Sequence, residues 1–427
     1  MSFHLYYSNH LDTLQYIAGY LTKVDPQKSP FDKEYFLVQN FGMARWMQIK
    51  LAKQLGILTQ SEFLLPSKML MNLLEMIFTE EEREKQPIER LSKDQLFWPL
   101  VQLIDGIITD DMVTDIINGD EANDSEDLFL PIKNYLSQYE KDAASKKENN
   151  PLLGILHLAE ELAAIFDKYI VYRSQWINAW TKGELAPAHF EQKLPIELEA
   201  WQAKLFQKLY QMLGSPLHFG LLHPLIEQKL QDPKIQQKLP KRIFIIGLNS
   251  LPPLFLDLIA QFSKVMDIHL FFNNPSQYYW GDLTKGSGLP SFSLTNFFEQ
   301  AESLIDPISP HIPKSMLDSL NEHWQNSYGN PLLASLGKVG RDHLHLLQQY
   351  DGNLDLQITE AFAEPEVSSL LNHLQAEIYH LRPARESEKY QIDAADRSIQ
   401  VHRTYSPMRE VEALYDQILH QLEGNPD

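Results

Sequence analysis

Apolar positions recur along this chain with two different periods. Residues 3–7 form a short, aromatic-rich run that reads as a strand. Ser8-Asn9-His10 turns the chain, and Leu11, Leu14, Ile17, Ala18 and Leu21 then recur at helical spacing. The pattern repeats at once. Residues 35–38 are continuously apolar, as expected of a strand covered on both faces. Gln39-Asn40-Phe41-Gly42 turns the chain, and Met43, Trp46, Met47 and Leu51 line a helix that stops near Gly56. Strand–helix–strand–helix at this spacing predicts a parallel sheet with right-handed crossovers.

From Pro66 to about Pro240 the pattern turns almost wholly helical. Ser67 is placed to cap a helix carrying Met69, Leu70, Leu73, Leu74 and Ile77. Leu96, Phe97, Leu100 and Leu103 mark another. A long helix begins near Pro151 and carries Leu152, Ile155, Leu156, Leu162, Ile165, Phe166 and Tyr169. The acidic stretch 105–127 reads as solvated surface and 143–150 as an exposed linker. Strands return at 243–246, followed by Gly247 and by Pro252-Pro253 opening a helix, and at 267–272. Residues 398–402 read as one more strand, with Val411, Leu414, Ile418 and Leu422 on the helix after it. The expected fold is therefore α/β: a parallel-sheet domain over 1–75 and 240–395, interrupted by a mostly helical insertion over 76–239. Residues 396–427 are expected to begin a further domain of a longer chain and to pack poorly by themselves.

Composition narrows the function. At 427 residues, 44% hydrophobic and 11% aromatic, the chain can bury a sizeable core, so disorder is not expected. It has no cysteine, which excludes disulfides and thiolate metal sites and fits a reducing compartment. No signal peptide is visible at the start, and no apolar run is long enough to span a membrane. The net charge of −20 argues against broad electrostatic capture of nucleic acid, so any such site must be a local groove or be completed by a basic partner.

An α/β domain split by helices, with a second beginning after it, has the layout of a superfamily-1 helicase motor. Such a motor needs a glycine-rich loop with a lysine after its first strand, to cradle phosphates. Here that position holds Ser8-Asn9-His10-Leu11-Asp12. It also needs carboxylates after a later strand, to hold magnesium; here Gly247-Leu248-Asn249-Ser250 follows. Neither half of an ATP site is present, and ATP hydrolysis by this chain is not expected. The turn at 39–46 sits where these motors contact single strands. Gln39 and Asn40 can hydrogen-bond base edges or phosphates, Phe41 and Trp46 can stack on bases, and Arg45 can do either. Trp46 also falls on the apolar helix face, which reads as core. His343 with His345, His218 with His223, and Asp110, Asp111 and Asp115 read as core or surface residues rather than metal ligands.

Seven blocks resemble one family in order along the chain: LYYSNHLD (5–12), LVQNFGMARW (37–46), FDKYIVYR (166–173), IGLNSLPP (246–253), YYWGD (278–282), NPLLAS (330–335) and SPMREVE (406–412). Together they are similar to the N-terminal, helicase-like portion of RecC, the gamma subunit of exodeoxyribonuclease V. The resemblance implies a cytoplasmic bacterial protein of recombinational DNA repair, without a catalytic site of its own. It implies RecB-like and RecD-like partner subunits, in which ATP and magnesium act, and no cofactor in this chain. It implies binding to DNA ends and single-stranded DNA, and scanning of the 3′ strand for a Chi-like sequence. The matching reading positions are Gln39, Leu65, Asp167 and Arg173. Phe41, Arg45, Met71, Ala164 and Gly220 stand where the best-known members carry other residues, so the resemblance leaves open which sequence is read. Two rival readings remain: an active ATP-driven helicase or nuclease subunit, or an interaction scaffold without DNA contact.

Overall fold

The computed structural model describes residues 2–29, 31–89, 91–108, 128–145, 151–186, 195–281, 283, 330–351, 356–382 and 390–424. The expectations for 109–127, 146–150 and Asp282 lie outside these residues. Numbering the described elements in chain order, the first part runs β1 (Phe3–Ser8), α1 (Leu11–Val24), β2 (Glu34–Val38), α2 (Phe41–Leu55), β3 (Ser61–Leu64) and α3 (Pro66–Ile77). A helical stretch follows: α4 (Glu80–Lys85), α5 (Lys93–Ile108), α6 (Leu130–Ser145), α7 (Pro151–Tyr172), α8 (Ser174–Thr181) and α9 (Ile196–Met212). After a 3-10 turn (Phe219–Leu221) come α10 (Leu222–Lys229) and α11 (Pro233–Gln236). The sheet resumes with β4 (Arg242–Ile246), α12 (Pro253–Phe262) and β5 (Asp267–Asn273). Then come α13 (Pro331–Leu336), α14 (Lys338–Asp351), β6 (Leu356–Glu360), α15 (Leu370–Tyr379) and α16 (Pro407–Gly424).

The six strands form one sheet in the order β3-β2-β4-β5-β1-β6. The β2–β3, β2–β4 and β4–β5 pairings are parallel. The fold is α/β with a helical insertion, as the apolar pattern predicts, and the runs at 3–7, 35–38 and 243–246 share this sheet. The chain comprises two compact units. One is Met1–Tyr6, Gln15–Phe271 and Tyr350–Thr359; the other is Tyr7–Leu14, Phe272–Gln349 and Glu360–Asp427.

In the first unit the two faces of the sheet differ. On one, Leu37, Ile243, Ile245 and Ile268 meet Met69, Leu70 and Leu73 of α3 and Phe255, Ile259 and Phe262 of α12, around a cavity of about 20 Å³. The other carries a ladder of rings. Phe63 stacks on Phe36 at 4.8 Å, Phe36 on Phe244 at 5.1 Å, Phe244 on His269 at 5.1 Å and His269 on His4 at 4.6 Å. Parallel strand register aligns these rings side by side, and stacked pairs of this kind add about 0.5–1.5 kcal/mol each beyond burial. The helical insertion has its own core, in which Phe166, Trp180 and Phe206 are fully buried and Trp176 and Tyr169 pack edge-on. The Trp180 indole donates to the buried Glu199 carboxylate at 3.0 Å.

Two local expectations are corrected, and one strand is added. Residue 67 does not cap α3: the N-cap is Leu65 and Pro66 occupies the first helical position, where its fixed φ and missing N–H cost nothing. Residues 398–402 are not a strand. Asp396 and Ser398 instead accept hydrogen bonds from Leu370 and Leu371 at the start of α15, at 2.7 and 3.1 Å, and Val401 is 91% exposed. The edge strand β3, which the apolar pattern does not announce, pairs with β2 and closes that side of the sheet.

Candidate nucleic-acid interface

The turn between β2 and α2 is built by Asn40. Its backbone is extended, and its side-chain oxygen accepts the Met43 amide at 2.9 Å, capping α2. That carbonyl is therefore committed to the helix rather than to a base edge. Gln39 precedes the cap and is exposed. Phe41 is the first helical residue and 79% exposed, and Arg45 lies one turn on, also exposed. Trp46 is half-buried, with the Lys50 ammonium 5.7 Å from its ring centre. The bend after the neighbouring strand β4 is equally constrained. Gly247 has φ +72°, and a Cβ there would come within 2.7 Å of the Met43 side chain.

Because β2 and β3 are parallel neighbours, with Leu37 beside Leu64, their following connections emerge at the same edge of the sheet. Leu65, half-buried, is thus brought beside the Gln39–Phe41 turn, at the carboxyl edge where open α/β sheets bind ligands. Met71 is half-buried on α3, two residues beyond Met69, which faces the sheet. Arg45 points into a cleft of about 340 Å³ between α2 and β3.

Asp167 and Arg173 stand not on that edge but in the helical insertion, Asp167 on the last turns of α7 and Arg173 just past its end. Asp167 lies between the buried Phe166 and Ile170, and its Oδ1 is buried without a hydrogen-bond partner. A desolvated acceptor of that kind suits an incoming donor, such as a base amino group. Arg173 is exposed, forms the N-cap position of α8, and holds its guanidinium 5.6 Å from the Trp176 ring centre. Gly220 packs against the first turn of α8. Its amide donates to His218 Nδ1 at 3.2 Å, its carbonyl accepts from Asn178 Nδ2 at 2.9 Å, and a Cβ would lie 3.0 Å from that of Ser174. The departure at 220 thus touches the residue after Arg173, and a Cβ there requires Ser174 to give by a few tenths of an ångström. Spacing along the chain gives no hint of Asn178 or His218 at this place; only the fold brings them to the turn.

The loop after β1 carries a different kind of order. Ser8 Oγ accepts the His10 amide at 3.1 Å, and the Asn9 side chain exchanges two hydrogen bonds with the Ala363 backbone, at 2.7 and 2.9 Å. His218 is buried and its pKa is pushed down to about 4 by desolvation; His343 is likewise lowered to about 4, whereas His345 is exposed. Among the described residues no group of three or more His, Asp or Glu side chains is arranged to hold a metal, and no helix is long and apolar enough to cross a membrane.

Residues 3–381 match the family described as RecC, N-terminal domain. The chain is 33% identical to the RecBCD enzyme subunit RecC of Haemophilus influenzae and 30% identical to that of Escherichia coli K12, in each case over 99% of its own length. It is 26% identical to the RecBCD enzyme subunit RecC of Mycolicibacterium smegmatis over 100% of its length. It spans 37%, 36% and 32% of those relatives, little more than a third of the proteins it matches.

Proposed function

The chain belongs to the RecC N-terminal domain family, and on that premise we propose that it is the strand-handling part of a non-catalytic subunit in a RecBCD-type complex. In this reading it holds RecB-like and RecD-like partners, guides the 3′ single strand of a DNA end and scans it for a Chi-like sequence. ATP and magnesium act in the partners. The same reading divides the chain into a helicase-like α/β part over 1–75 and 240–395, a helical insertion over 76–239, and the start of a second helicase-like part over 396–427.

One observation carries the proposal. The carboxyl edge of the sheet presents an amide, an aromatic ring and a guanidinium together, in Gln39, Phe41 and Arg45, all exposed on one capped turn. That set suits base edges and base faces, while the loop after β1, Ser8 to Asp12, has neither the glycine nor the lysine of a phosphate cradle. Asp167, with its unpartnered oxygen, and the exposed Arg173 supply an acceptor and a donor from the helical insertion.

The test uses the assembled complex. Replacing Gln39 or Arg173 by Ala is expected to alter the response to the recognition sequence by about ten-fold, as loss of one good base contact does, with the unwinding rate unchanged. Arg45→Ala is expected to act in the same direction. If all three variants respond as the wild type does, or all lose unwinding equally, the reading role is wrong. If sequence response persists and no strand crosslinks to this chain, the scaffold without DNA contact is the better description.

A further inference from the structure

The aromatic ladder does not end inside the protein. Its outermost ring, Phe63, stands on the edge strand β3, stacked on Phe36 at an interplanar angle of 10°. Rings stacked across strands leave the outer face of the last one directed away from the sheet. That ring lines the α2–β3 cleft of about 340 Å³, together with Arg45, Gln48, Ile49, Ala52 and Gln60. We propose that this cleft is a subsite for one unstacked nucleotide of single-stranded DNA. The base extends the ladder on the outer face of Phe63, the amides of Gln48 and Gln60 meet its edge, and Arg45 meets its phosphate.

Three further observations favour a nucleotide over a partner's aromatic side chain. Between Phe36 and Ser61 the only charged residues are Arg45, Lys50 and Lys53, a local charge of +3 in a chain of net −20. Phe41, Arg45, Ile49 and Lys53 recur every fourth residue and are exposed, so they form one stripe about 18 Å long down α2. The one carboxylate on β3, Glu62, is paired with Lys33. Gln60, at the cleft mouth, is held at φ +51°, a strained conformation for a non-glycine residue, while its carbonyl accepts the Glu34 amide at 2.8 Å. The subsite rests on the proposed strand-handling role, yet it requires no particular DNA sequence, because stacking and phosphate contacts are sequence-tolerant.

The test titrates the purified chain with a short oligothymidylate carrying one 2-aminopurine, whose fluorescence is quenched on stacking. The wild type is expected to quench it. Ala52→Trp fills the cleft from the α2 side, covers the outer face of Phe63 without altering the ladder's own residues, and should abolish quenching. Arg45→Ala should weaken binding about ten-fold and reduce the slope of log affinity against log salt by about 0.7. Phe63→Ala should weaken it similarly, with Phe63→Trp restoring it; the Ala52 and Arg45 variants keep the test valid if the Phe63 variant misfolds. If the wild type binds the oligonucleotide, by fluorescence anisotropy, without quenching, the subsite alone is overturned; if it does not bind at all, the strand-handling role falls with it. If Ala52→Trp quenches as well as the wild type, the subsite alone is overturned. The same holds if Ala52→Trp quenches normally but no longer co-purifies with a RecB-like subunit, since the cleft is then a protein-docking site.

Discussion

Glu34 and Arg242 open neighbouring strands β2 and β4 and are almost wholly buried. The guanidinium donates twice to the carboxylate, at 2.8 and 2.9 Å, and once to Asp25 at 3.1 Å. Removing Glu34 leaves the buried guanidinium with only the exposed Asp25, so Glu34→Ala is expected to lower unfolding free energy by up to about 3–5 kcal/mol, measured by urea titration. Three buried imidazoles carry a second prediction. Burial holds His269 down to about 3, with His4 and Arg242 adding repulsion, while His218 and His343 lie at about 4. Each folded-state value is below the unfolded one near 6.5, so on acidification the unfolded chain binds protons first. This part of stability is complete above about pH 6.5 and is lost progressively down to about pH 3–4. Asp25 and Glu82, held low by hydrogen bonds from Lys241 and Lys229, act in the same direction at lower pH. The urea midpoint at about pH 5 should therefore fall below that at about pH 7.5; an equal or higher midpoint would show that these imidazoles do not stay neutral in the folded chain.

At the scale of elements, the connection from β2 to α2 depends on one cap. Asn40→Ala removes the acceptor of the Met43 amide and should cost about 1 kcal/mol, whereas Asn40→Asp retains it. Because Gln39 and Phe41 flank the cap, the Ala variant should also weaken strand binding by loosening the turn. Equal binding by the two variants would separate the cap from the site. Gly247→Ala should cost more, about 1–3 kcal/mol, since φ +72° and the close Met43 side chain both oppose a Cβ. Thermal melts would rank the two.

At the scale of the whole molecule, α16 has no buried residue. Met408, Val411, Leu414, Tyr415 and Leu422 are each at least 60% exposed. Its apolar stripe therefore contributes little to the stability of this chain by itself, as the sequence leads one to expect of the last residues. A chain ending at Gln400, which keeps the Asp396 and Ser398 bonds to α15, should melt at the same temperature as the full chain. A clear drop in midpoint would show that α16 packs in solution. Six of the seven blocks lie within residues 3–381, the span matched by the RecC N-terminal family, so membership was legible from short motifs spread across the chain.

What the sequence determined by itself follows from local physics. The spacing of Leu14 and Ala18, the continuous run at 35–38 and the Pro252-Pro253 start each depend on a few neighbouring residues, and each forms the element expected. Where local signals compete, the sequence misleads. Ser67 is a good capping residue, yet Pro66 claims the first helical position; residues 398–402 alternate like a strand, yet Ser398 and the nearby Asp396 accept the first amides of α15 instead. β3 depends on a partner distant in sequence, since only register against β2 turns Ser61–Leu64 into an edge strand and sets Phe63 at the end of a ring stack. The Arg45 cleft, the Gly220 contact with Ser174 and the orphan oxygen of Asp167 likewise exist only when separate segments meet. Burial and hydrogen-bond partners are properties of the folded neighbourhood, and no local pattern of residues encodes them.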